Sequence, residues 1–233
     1  LHNHSHENIM REGEMAILDA GAVSVSGYAS DITRTFPIGQ PFSGRQRDIY
    51  QIVLAAQEAS IAACAPGKPY EEIHILAAQT LAAGLKDIGL LKGDIDAAVQ
   101  EGAHALFFPH GLGHMMGLDV HDMESLGEDA VGYDDTVSRS TQFGRSYLRL
   151  AKKLEPGHVI TIEPGLYFIP QLIDSWAREQ RLDAFIEYDK LDDWKGLGGV
   201  RIEDDLLVTA EGVRILGQPI PKTVEEVEAL STF

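Results

Sequence analysis

Twice along the chain an apolar, strand-like run stops at an acid, then one residue, then a glycine: Ala16-Ile-Leu-Asp19-Ala-Gly21 and Ile160-Thr-Ile-Glu163-Pro-Gly165. Each run is followed by a further acid set inside strand-like sequence, Asp31 in residues 30–36 and Glu203 in residues 198–203. Carboxylates are almost never buried unless they are paired or bind metal, because ionised groups lose too much hydration on leaving water. Two similar halves, each giving a carboxylate pair from strand ends, predict a pseudo-twofold sheet of an α/β (α+β) fold, with helices on its outer face.

The remaining elements follow from periodicity. Residues 22–27 alternate and read as a strand. Ser43-Gly-Arg-Gln46 is a capping box, and Ile49, Ile52, Val53 and Ala56 follow at helical spacing until Pro66-Gly67 stops the run. A second helix is expected over 71–88 and a third over 94–106. Residues 123–148 are polar and aperiodic, a long surface excursion. Strands are expected at 158–162 and 166–169, and an inserted helix and loop at 170–195, with residues 168–176 packing over the cleft. A hairpin-like pair is expected at 198–203 and 205–209, and a terminal helix over 221–230, acids in its first turns.

Composition narrows the function. The net charge of −17 argues against nucleic acid, whose phosphates require clustered Lys and Arg. No run of about 18 apolar residues is present, so no membrane helix is expected. Cys64 is the only cysteine and reads as a small core residue. The acidic surface suits a cytoplasmic protein. The 233 residues suit one domain, and the start at Leu1 rather than Met reads as a fragment or processed product, with an N-terminal domain of the full-length protein absent.

Asp19, Asp31, Glu163 and Glu203 could each be neutralised by a basic neighbour such as Arg34 or Arg201, but four buried acids exceed that supply. Three of the nine histidines fall in His110-Gly-Leu-Gly-His114-Met-Met-Gly-Leu-Asp-Val-His121-Asp122. Four carboxylates and an imidazole make an oxygen-rich, hard donor set. Two divalent cations would match four negative charges, hold a hydroxide between them and polarise a carbonyl. A structural zinc site would use cysteines, which are lacking.

Five co-linear stretches resemble the catalytic domain of aminopeptidase P and prolidase, the Xaa-Pro peptidases. They are Ile-Leu-Asp19-Ala-Gly, Gly27-Tyr-Ala-Ser-Asp31-Ile-Thr-Arg-Thr-Phe-Pro37, the histidine stretch, Leu-Glu-Pro-Gly157 with Thr-Ile-Glu163-Pro-Gly-Leu-Tyr167, and Gly-Gly-Val-Arg201-Ile-Glu203-Asp204. The likeness runs from His2 to Glu228, and the spacing from Asp19 to Asp31 is one residue longer than the family's. The resemblance implies a pita-bread fold, a curved antiparallel sheet with helices outside, and two divalent metal ions, usually manganese, sometimes cobalt or zinc. It implies that Asp19 chelates one metal, Asp31 and Glu203 bridge both, and His114 and Glu163 hold the second. Glu163 would also carry the proton to the leaving nitrogen. His110 and His121 would bind substrate and stabilise the oxyanion, His2 falls where the family has a substrate-binding histidine, and Arg149 and Arg201 would face a substrate carboxylate or orient the acids. His4 and His6 read as plain surface residues, and Asp122 as either a partner of His121 or a turn cap.

The implied activity is hydrolysis of the bond before proline, on longer peptides or on dipeptides. The five ligands do not separate these, although the Gly-Gly-Val-Arg-Ile-Glu-Asp form and the Lys222-Thr-Val-Glu-Glu-Val-Glu ending lean towards prolidase. The implied partner is a proline-containing peptide, with a homodimer of the full-length protein left open. Methionine aminopeptidase is the alternative enzyme, fitting His121 less well. A non-catalytic peptide-binding pita-bread module is the alternative outside enzymology, and such relatives lose metal ligands.

Overall fold

The first acid-bearing run becomes β1 (Met15–Ala20), paired antiparallel with β2 (Ile32–Pro37) so that Asp19 stands opposite Thr33. The computed structural model describes residues 9–230. The expected strand at 22–27 is instead an irregular loop with one bridge, Val23 to Ala29. Its alternation lacks a buried face, since Val23 and Val25 are exposed.

Two helices follow. α1 (Gly44–Ala63) opens on the anticipated capping box, Ser43 accepting from the Gln46 amide while the Gln46 side chain accepts from that of Ser43. α2 (Tyr70–Asp87) packs against it and buries Ile73, Ala77, Leu81 and Leu85. The expected third helix is shorter. α3 (Ile95–Glu101) stops at Gly102, whose φ of 90° no β-carbon residue adopts cheaply, and a 3-10 turn continues over Ala103–Leu106. Within the polar excursion lie a short α-helix, α4 (Glu128–Gly132), and 3-10 turns at Glu124–Leu126 and Arg145–Tyr147.

The second half repeats the strand logic. β3 (Val159–Ile162) and β4 (Gly165–Tyr167) flank Glu163. The insertion folds into α5 (Pro170–Arg178) and α6 (Tyr188–Leu191). β5 (Gly199–Arg201), β6 (Asp204–Val208) and β7 (Val213–Ile215) complete the strands, and α7 (Val224–Leu230) closes the described chain. The expected hairpin between 198–203 and 205–209 does not form. β5 pairs with β4, whereas β6 pairs with β3 and β7. The chain changes sheets at Ile202–Glu203, so Glu203 is left at the junction.

That junction is held to the first half. The Glu203 amide donates to Thr33 O at 3.0 Å, and the Thr35 hydroxyl bonds both the amide and the carbonyl of Arg201. Ile49, Tyr50 and Val53 of α1 share one core with Ile160, Ile162, Leu166, Val200 and Leu206 of the strands. The helices thus cover one side of the strands and leave the acids facing away from them. Phe168 and Trp176 are buried in that core, and Phe143 stacks edge-on against Trp176 at 5.8 Å. Among the described residues no helix is long and apolar enough to cross a membrane.

Candidate metal centre and cleft

Each acid sits where a strand begins or ends. Asp19 lies near the end of β1, Asp31 just before β2, Glu163 just after β3 and Glu203 just before β6. Strand ends let a carboxylate point out of the ladder while its backbone stays fixed by it. The histidine stretch is laid along β3. The Thr161 amide donates to His114 O, the Met116 amide to Val159 O and the Glu163 amide to Leu112 O. Gly113 permits this approach, since a β-carbon there would lie 2.3 Å from Thr161 O and 2.4 Å from the Tyr70 hydroxyl.

One cleft of about 850 Å³ is lined by Asp19, Asp31, His110, His114, His121, Arg149, Glu163, Arg201 and Glu203. Every site residue expected from the sequence is therefore brought to one cavity, except His2, which lies outside the described residues with His4 and His6. Ligand atoms of Asp31, His114 and Glu203 all lie within 4.8 Å of one another. His114 Nε2 is 3.5 Å from Asp31 Oδ2 and 3.6 Å from Glu163 Oε1. Its Nδ1 is 2.9 Å from Met115 O, which fixes the ring and, with the proton on Nδ1, leaves the Nε2 lone pair for the cluster. Glu203 is buried, with Oε2 accepting from the Thr33 hydroxyl at 2.7 Å and Oε1 without a hydrogen-bond partner. Arg201 donates from Nη2 to Asp19, from Nε to the Thr33 hydroxyl, and lies 3.9 Å from Glu163 Oε2.

The electrostatics are those of a site short of positive charge. Burial, aided by Asp31 and Asp19 against the pull of His114 and Arg201, pushes the Glu163 carboxyl up to about 7. Burial, with Glu163 and Asp31 close by, holds Glu203 well above the ordinary range. Burial opposes the charge on His114, but Asp31 and Glu163 outweigh it and raise its pKa, while the same contact lowers that of Asp31. A buried carboxylate oxygen with no protein hydrogen-bond partner, beside carboxyls that resist ionising, is the donor arrangement of a hard-cation site. The donor set fits divalent metal ions.

Around the acids the cleft is built for a polar ligand. The His121 ring lies edge-on to His114 with centroids 4.5 Å apart. His110 Nε2 is 3.0 Å from the Tyr167 hydroxyl, which in turn accepts from Arg201 Nη1 at 3.1 Å. Arg149, the residue after the excursion, is paired with Glu124 inside it. Asp122 accepts from the Asp119 amide at 3.4 Å, so it does cap a turn. Tyr167, Thr33, Thr161 and Phe143 carry no signal in the sequence that singles them out. Tyr167 reads as one more core aromatic of a strand, and only its position beside Glu163-Pro-Gly165 hints otherwise.

Comparison with known proteins gives the family and the fold. The model of Metallopeptidase family M24 matches residues 1–210. Xaa-Pro dipeptidase of Homo sapiens is 39% identical over 223 residues, which cover 96% of this chain and 43% of that protein. A probable Xaa-Pro aminopeptidase of Leptosphaeria maculans is 40% identical over 230 residues, 99% of this chain and 39% of that protein. The chain thus spans less than half the length of the curated relatives it matches. The structure of Pseudomonas aeruginosa aminopeptidase PepP superposes with a TM-score of 0.76 at 36% identity, covering 99% of this chain and 44% of that one. Zinc-substituted Escherichia coli aminopeptidase P in complex with product gives a TM-score of 0.76 at 37% identity, with the same coverage.

Proposed function

Because the chain belongs to metallopeptidase family M24 and has the pita-bread fold of its aminopeptidase P neighbours, we propose that it hydrolyses the peptide bond before proline, as an Xaa-Pro aminopeptidase or dipeptidase. The observation that carries this reading is the convergence of Asp19, Asp31, His114, Glu163 and Glu203, from both halves, on one cleft. These residues would hold two divalent metal ions, with manganese the metal of this reading. When bound, the metals supply an activated water and Lewis-acid polarisation of the scissile carbonyl.

The protein's own residues account for the rest. Glu163, half-buried within 3.6 Å of His114 Nε2 and 3.9 Å of Arg201 Nε, would take the proton of the attacking water and pass it to the leaving prolyl nitrogen. That step breaks one C–N bond, forms one C–O bond and returns the carboxylate to its starting state. His121 would donate to the substrate carbonyl as charge grows on its oxygen, and His110, whose Nδ1 is held by Gly111 O and Nε2 by the Tyr167 hydroxyl, would do so on giving up its bond to Tyr167. Arg149, a partly exposed residue of the cleft wall, would meet a substrate carboxylate, while Arg201 orients Asp19 and Glu163. His2 belongs to the substrate-binding group in this reading.

The chain is taken as one catalytic domain in the cytoplasm, acting on proline-containing peptides, with a homodimer left open and no nucleic-acid role. The acidic charge and the single buried cysteine support that setting. The test is hydrolysis of Ala-Pro, Ala-Pro-Ala and a methionyl peptide with Mn2+ and with chelator. Metal-dependent cleavage of either prolyl substrate is expected, with dipeptide preference marking a prolidase. Preference for the methionyl peptide would turn the reading to methionine aminopeptidase. Inactivity on all three with metal bound would favour a peptide-binding module.

A further inference from the structure

Glu203-Asp204-Asp205 places three consecutive acids at the start of β6, and each has a different task. Glu203 lines the cleft. Asp204 turns into the protein and is satisfied there by Arg34 Nη2 at 2.7 Å, Lys222 Nζ at 2.7 Å and Gln57 Nε2 at 2.8 Å. Asp205 has no basic partner of this kind. It is 4% exposed, its Oδ2 accepts from the backbone amide of Asp31 at 3.1 Å, and its Oδ1 has no hydrogen-bond partner. It does not line the cleft, but a second cavity of about 770 Å³ behind Asp31, walled also by Tyr28, Met116 and Ile220.

For the fold alone this is a poor choice of residue. An unpaired carboxylate oxygen in a buried strand is a cost, and an apolar residue of similar size would avoid it. What the carboxylate does is fix residue 31. Asp31 has no ladder partner, because β1 and β2 pair from Ile32 to Pro37 and stop there. The hydrogen bond from Asp31 to Asp205 takes the place of the missing rung. It also crosses from the first half to the second, since Asp205 stands opposite Thr161 in the β3–β6 pair. A charged acceptor makes a stronger bond to an amide than a neutral one.

We propose that Asp205 is a positioning residue for the metal centre: from behind the cleft it holds the Asp31 backbone, and with it the carboxylate of Asp31, at the distance from His114 and Glu203 that the metals require. This rests on the dinuclear reading above. Partners of metal ligands commonly change metal affinity by 10–100-fold when lost.

The experiment compares wild type, Asp205→Asn and Asp205→Ala, each stripped and then titrated with Mn2+ against a chelating indicator, with amide exchange at Asp31 followed in the metal-free state. Wild type is expected to bind two ions. D205A is expected to bind at least one of them about 10-fold or more weakly and to lose protection at the Asp31 amide. D205N, which keeps an acceptor but not the charge, should fall between. At saturating Mn2+, kcat should drop in the same order with KM little changed. A folded D205A with wild-type Mn2+ affinity overturns the proposal. Should D205A not fold, D205N decides alone, and an unchanged affinity in it overturns the proposal equally. A wild-type protein that binds no pair of ions would instead sink the dinuclear reading, so the two failures are distinct.

Discussion

Arg201 Nη2 donates to the Asp19 carboxylate, joining residues 182 positions apart across the two halves of the molecule. The Arg201 side chain is 5% exposed and that of Asp19 24%. Burial works against the charge on Arg201, but Tyr167, Glu163 and Asp19 together keep it charged. One cation therefore serves acids from both halves.

Removing that cation should be costly. Arg201→Ala is expected to destabilise the metal-free protein by about 3 kcal/mol, since it leaves Asp19 and Glu163 without their counter-charge. Urea unfolding in chelator measures this, and Arg201→Lys should lose less. A change below about 0.5 kcal/mol would show that the pair is merely adjacent.

Metal and protons should compete for the centre. Glu163, at about 7, and Glu203, well above its ordinary range, are both raised, so both hold protons in the folded, metal-free state that the unfolded chain releases. Their stability contribution is complete below about 4.5 and is lost as pH rises through 7. The raised His114 acts in the same direction, and the lowered Asp31 matters only below this window. Metal-free protein should therefore lose thermal stability between pH 5 and 8, and the rise in Tm on adding Mn2+ should grow over that range. Calorimetry at fixed ionic strength reads both slopes, and a metal-induced rise that shrinks with pH would contradict the assignment.

Proton transfer is tested at Glu163. Glu163→Gln keeps the size and one oxygen of the side chain but cannot exchange a proton. Turnover on Ala-Pro should fall by about 10²–10⁴-fold while bound metal is retained. Activity within a few-fold of wild type would remove Glu163 from the proton path.

The two histidines of the edge-on pair should separate. His114→Ala should lose metal, because Nε2 faces Asp31 and Glu163. His121→Ala should keep metal and lose rate, because its ring lines the cleft in front of His114. Metal content by mass spectrometry beside kcat distinguishes them, and identical behaviour of both variants would merge their roles.

Much of this centre is legible in the order of the amino acids. A charged residue ending an apolar run or set inside a strand-like one is a local signal, carried in the first form by Asp19 and Glu163 and in the second by Asp31 and Glu203. Ser43 and Gln46 likewise announce the start of α1 within four residues. The same local logic fails at residues 22–27, where alternation is present but no sheet covers either face, and at residues 94–106, where the left-handed turn at Gly102 ends a run that looks continuous. It pairs 198–203 with 205–209, because adjacency in sequence favours a hairpin, whereas the bonds to Thr33 and Thr35 draw β5 away.

The partners of each acid lie beyond reach of such reading. Tyr167 and Asp205 look like core filler and a surplus charge until the halves close. Hydrophobic period is written in neighbouring residues, so the sequence by itself determined which strands carry the acids, but not their burial: Glu203 alone of the four is fully buried, Asp31 and Glu163 are partly buried, and Asp19 is exposed because the outer end of β1 has no cover. Which side chain meets which across some 170 residues depends on how the sheets curve and stack. Only the tertiary structure therefore decided that Arg201 serves Asp19, that Tyr167 links His110 to Arg201, and that Asp205 holds Asp31 from behind.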